Sequence, residues 1–157
     1  MIQIEPQRPQ LGVSTLVRRG GSVLLVRRGR PPLAELWAFP GGRVEFAESL
    51  ADAAAREVLE ETAVTVAIDG PVDHAEIILR DATGKPERHY VLIVFVGTWQ
   101  AGEPVAGDDA ADARWVDVAD LDRFPKTPDT ERILRRILSG TADSGPARKP
   151  SRDSAAP

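Results

Sequence analysis

A chain of 157 residues with 42% hydrophobic and 28% charged composition is long enough for one domain around one core, and too apolar for a disordered polymer. A formal charge of −4 argues against a general surface for polymeric nucleic acid, and the absence of cysteine excludes disulfides, thiolate metal sites and a cysteine nucleophile. No apolar run approaches the roughly 20 residues of a membrane-spanning helix, and the start MIQIEPQRPQ lacks the basic and apolar regions of a secretory signal, so a cytoplasmic location is expected.

In chain order, the β-branched runs Leu11 to Arg18 and Ser22 to Arg28 flank Gly20-Gly21 and predict a hairpin. The segment from Gly29 to Glu35 contains Pro31-Pro32 and reads as a loop. Leu36-Trp37-Ala38-Phe39 reads as a short extended piece, stopped by Pro40-Gly41-Gly42. Ser49 followed by Asp52 resembles a capping box with a shortened acid, and Leu50 to Thr62, free of Gly and Pro, predicts a helix. Strands are expected at His74 to Arg80 and Arg88 to Trp99, joined through Asp81-Ala82-Thr83-Gly84-Lys85-Pro86. The second is nearly continuous in apolar residues, which predicts a strand buried on both faces. Ala113 to Val118 gives another strand, and Ile133, Leu134, Ile137 and Leu138 give Asp129 to Leu138 a helical stripe ending at Gly140. Residues 1–140 are therefore expected to form a single domain, and 141–157, small, polar and proline-rich, a disordered tail. Strands, a central helix, strands and a terminal helix predict an α+β fold, a mixed sheet with helices packed on it.

The segment Arg56-Glu57-Val58-Leu59-Glu60-Glu61 crowds three carboxylates into five positions. Like charges three and four residues apart cost a helix a few tenths of a kcal/mol per pair. Helical projection puts Leu50, Ala51, Ala54, Ala55 and Val58 on an apolar face, with Glu57, Glu60 and Glu61 on its flank. Such a run is most often a solvated helix face. It is also what a hard cation such as Mg²⁺ needs, since that ion takes oxygen ligands and keeps several waters. Gly41-Gly42 and two further acids, Glu45 and Glu48, lie just ahead of the helix.

Gly42, five residues, Glu48, seven residues and then Arg56-Glu57-Val58-Leu59-Glu60-Glu61-Thr62-Ala63-Val64 resembles the Nudix box. Eight of the nine specified positions fit, and the departure is Ala63, where the family usually has glycine. The preceding Trp37-Ala38-Phe39-Pro40-Gly41 and Glu45 are also usual in the family. The resemblance implies a Nudix-type α/β/α sandwich and hydrolysis of a diphosphate linkage in a nucleoside diphosphate derivative, with Mg²⁺ or Mn²⁺ as cofactor. It implies Glu57, Glu60 and Glu61 as metal ligands, with the Gly42 carbonyl as a further one. Glu57 could instead orient or deprotonate water, Arg56 would hold Glu57, and Glu48 would assist. Family members often form homodimers, so a homodimer is allowed.

Residues that select the substrate are less visible. Arg27 and Arg28 end a strand where one could reach a phosphate, or both could be solvated. Trp37, Phe39 and Trp115 read as core, and His89 and Tyr90 as structural. Glu103, Asp108 and Asp109 lie in a loop from which Nudix enzymes often draw an extra acid. His89-Tyr90-Val91, Gly107-Asp108-Asp109-Ala110 and Arg114-Trp115-Val116 resemble the ADP-ribose pyrophosphatase-like subgroup, which favours ADP-ribose or a sugar nucleotide. A (d)NTP such as oxidised dGTP and a non-catalytic nucleotide-binding domain are the alternatives.

Overall fold

A computed structural model describes residues 7–140. The expectation for 141–157 lies outside the described residues. Strand β1 (Gln10–Arg19) turns at Gly20-Gly21 into antiparallel β2 (Ser22–Arg28), with Arg18 opposite Val23. Then follow β3 (Trp37–Ala38), β4 (Gly41–Arg43), helix α1 (Leu50–Thr62), β5 (Thr65–Arg80), β6 (Pro86–Ala101), β7 (Ala110–Asp117), a 3-10 helix at Val118–Arg123 and helix α2 (Pro128–Leu138).

The main sheet runs β3-β2-β1-β6-β5, with β4 paired to β1 and β7 to β2. Only β1 with β6 is parallel among these pairs, which makes the sheet mixed. Alternation along the strands sorts side chains onto two faces. Leu16, Val23, Leu25 and Val94 meet Ile133 and Leu134 of α2, together with Trp37 and Phe39. Val13 and Phe95 meet Ala53 and Ala54 of α1, while Val17 and Leu24 meet its Val58. The sheet is thus held between the two helices, and Trp37 and Phe39 are core residues as expected.

Several expectations need correction. The strand expected at His74 begins at Thr65, because register shifts at Ile68/Gly70 and Pro71/Asp73 absorb Gly70 and Pro71 without ending the pairing. The short strand β3 does end before Pro40, but Gly41-Gly42 is not loop: it opens β4, paired with Ser14 and Val13. Strand β6 lies inside the sheet, but only Val94, Phe95 and Gly97 along it are buried, since the helices cover just its middle. On α1, Ala51 is exposed and Ala53 and Glu57 are buried, so the covered face is rotated towards Glu57.

Candidate active site

Helix α1 starts where Ser49, in extended conformation, accepts a hydrogen bond from the Asp52 amide at 3.1 Å. It ends at Ala63, which adopts the left-handed conformation (φ 58°, ψ 14°) and donates its N–H to the Leu59 carbonyl. The alanine at the glycine position therefore makes the exit that glycine makes, and carries the Cβ strain of that conformation.

Between these ends Arg56 organises the acids. Its Nε and Nη2 donate to the two oxygens of Glu48 at 2.7 and 3.0 Å. Its Nη1 donates to Glu57 Oε1 at 2.9 Å and to Glu60 Oε2 at 3.1 Å, and Nη2 also reaches the Arg43 carbonyl at 3.0 Å. The guanidinium is planar and always charged, so one side chain fixes three carboxylates and the end of β4. The bond from Arg56 holds the Glu48 carboxyl down to about 2, and the same pairing keeps Arg56 protonated.

Glu57 is buried, and β4 makes that possible: a Cβ at Gly42 would fall on the Glu57 carboxyl group. The Gly42 carbonyl oxygen lies beside Gly12 of β1, and the missing side chain of Gly42 gives Glu57 its room. Burial pushes the Glu57 carboxyl up, opposed by Arg56 and reinforced by the charges of Glu60 and Asp108. Glu61 accepts a 3.0 Å hydrogen bond from the Gly41 amide. Burial still pushes it up to about 7, with the charges of Glu57 and Asp108 adding to the rise. Glu60 is the exposed member of the group.

The remaining candidates divide clearly. Arg27 is paired with Glu35 at 2.5 Å. Arg28 donates Nε to the Pro32 carbonyl, and its charge reaches Glu61. Of the loop acids, Glu103 is paired with Arg19 and Asp109 with Arg30, while Asp108 acts on Glu57 and Glu61. His89 bonds Glu76 at 2.8 Å, a partner the sequence did not suggest. Sequence reasoning also missed the Gly41 amide as a donor to Glu61; its adjacency to Gly42 ahead of the helix was the available signal.

A wall of mutually repelling carboxylates, with the Arg56 guanidinium among them already committed, has the donor chemistry of a hard-cation site. Among the described residues no three acids converge as a preformed cage.

Residues 8–137 match the family model described as the NUDIX domain. The chain is 32% identical over 131 residues to an ADP-ribose pyrophosphatase of Methanocaldococcus jannaschii, covering 83% of this chain and 73% of that protein. It is also 32% identical over 122 residues to a putative 8-oxo-dGTP diphosphatase of Bacillus subtilis, covering 77% and 74%. Among solved structures, a MutT NUDIX hydrolase from Burkholderia pseudomallei matches with a TM-score of 0.71 at 27% identity, covering 83% of this chain and 99% of that one.

Proposed function

The chain belongs to the Nudix hydrolase family and is an enzyme hydrolysing nucleoside diphosphate derivatives, and from that premise we propose that it cleaves the diphosphate of ADP-ribose or a sugar nucleotide with Mg²⁺, which Mn²⁺ can replace. The observation that carries this is the α1 wall itself: Glu57, Glu60 and Glu61 beside Asp108, with Arg56 spanning Glu48, Glu57 and Glu60.

Glu60 and Glu61 would hold the cation. When bound, it supplies neutralisation of the charge that builds on phosphoryl oxygens, and it acidifies water. Arg56 favours the ionised form of Glu57 against the effect of burial and holds it in place by a charge-assisted bond. Glu57 orients the attacking water and takes its proton as the new P–O bond forms and the bridging P–O bond breaks. The Gly41 amide holds Glu61, and Asp108 is the extra acid contributed by the distant loop. Arg28, whose charge lies near the acids, is the better placed of the two strand-end arginines to meet a phosphate. An acidic protein can bind such an anion because the cation stands between them.

Oxidised dGTP is the second reading, favoured by the likeness to the Bacillus subtilis protein. A hydrolysis screen over ADP-ribose, sugar nucleotides, dinucleoside polyphosphates and (d)NTPs, with and without Mg²⁺ and with product identification, decides between them. Mg²⁺-dependent AMP release from ADP-ribose supports the first, and preferential turnover of 8-oxo-dGTP the second. Nucleotide binding without product would overturn both.

A further inference from the structure

The loop 102–109 between β6 and β7 is bound to the C-terminal end of α1. Val105 N–H donates to the Thr62 carbonyl and Gly107 N–H to the Glu61 carbonyl, both at 2.9 Å. These are among the last carbonyls of the helix, which have no donor within it. The approach is close, since a Cβ at Gly107 would lie 2.5 Å from the Glu60 carbonyl oxygen. Asp108 follows directly, in the left-handed region at φ 51°.

The start of this loop is held by groups outside the acid wall. Arg19 ends β1, with its Cζ 4.3 Å from the centre of the Trp115 ring and 5.4 Å from that of Trp99. Its Nη1 lies 2.6 Å from Glu103 Oε1. Trp99 donates its Nε1–H to the Gly102 carbonyl at 2.8 Å. Gly102 and Glu103 are therefore both tied to one stack of guanidinium and indole rings. An isolated exposed ion pair holds little. Here the cation also lies against ring faces, and both rings pack on a core that includes Val17, Leu24 and Val58 of α1. The stack is thus anchored to the helix that carries the acids.

We infer that Arg19 is a positioning residue: lying over the rings of Trp99 and Trp115 and paired with Glu103, it fixes loop 102–109 on α1 and so holds Asp108 against the acid wall. The anchoring stands on geometry alone, while its effect on turnover rests on the hydrolase reading above.

Amide hydrogen exchange of the full chain, read at Val105 and Gly107, tests the anchoring. Arg19→Gln and Glu103→Gln should both speed exchange there by about tenfold, with Arg19→Lys recovering part of the protection. Glu103 is 72% exposed, so its variant leaves the core intact. Unchanged exchange at Val105 and Gly107 in Glu103→Gln and Arg19→Gln overturns the anchoring. With ADP-ribose or whichever screened nucleotide is turned over, at saturating Mg²⁺, Arg19→Gln should lower kcat roughly fivefold to tenfold and leave KM within about twofold. In an Asp108→Asn background it should have no further effect. An equal kcat loss in both backgrounds overturns action through Asp108. A wild-type chain that turns over none of these nucleotides refutes the hydrolase reading, and the exchange result still decides the anchoring.

Discussion

Arg56 grips Glu48 with two parallel hydrogen bonds, Nε to Oε1 at 2.7 Å and Nη2 to Oε2 at 3.0 Å, while its other N–H groups reach Glu57, Glu60 and the Arg43 carbonyl. Lysine has three donors on a point charge and cannot reproduce that fork. Arg56→Lys should therefore lose about 1–3 kcal/mol in urea unfolding, and turnover should fall about tenfold or more because Glu57 loses its donor. A variant with unchanged stability and rate would show that the network is incidental.

The Glu48 carboxyl sits at about 2 in the folded protein against 4.5 as its ordinary value. A depressed acid contributes stability that is present above the unfolded value and is lost as pH falls through the folded one. Glu48→Gln should accordingly be less stable than wild type at pH 7. The gap should close as pH drops from about 4.5 towards 2. Melting temperatures of both proteins from pH 7 to 3 measure this; a gap that widens on acidification would contradict it.

Gly42 gives Glu57 its space. In Gly42→Ala the new Cβ meets the end of a flexible side chain and not backbone, so the fold should survive with a loss within about 1 kcal/mol. The carboxylate must swing aside, and turnover should fall at least about tenfold with Mg²⁺ saturating. Wild-type activity would show that Glu57 need not occupy its present position.

Ala63 carries a Cβ at φ 58° at the helix exit. Ala63→Gly removes that strain, and should stabilise the protein by up to about 1 kcal/mol, less the added chain entropy of glycine when unfolded. The shift in urea midpoint reads this, with turnover unchanged; a clear loss of stability would mean that the alanine packs favourably.

What the sequence made legible was local. The capped helix and the Gly20-Gly21 hairpin each depend on residues a few positions apart, and each stands as expected. Thr65 to Arg80 was not legible as one strand, because Gly70 and Pro71 signal a break while the pairing partner that carries them through lies in β6. The burial of Glu57 depends on a glycine fifteen positions earlier in another element. The pairing of Glu103 with Arg19 and of Asp109 with Arg30, beside an Asp108 whose charge reaches Glu57 and Glu61, is likewise tertiary, since neither arginine is near these acids in sequence.

The most direct measurement is steady-state hydrolysis at saturating Mg²⁺ by Glu60→Gln and Glu61→Gln, with circular dichroism confirming that both are folded. If the α1 acids are the cation-binding wall of a diphosphate hydrolase, each variant loses on the order of 100-fold or more in kcat while keeping the wild-type spectrum. Near-normal turnover in both would contradict the metal-binding assignment.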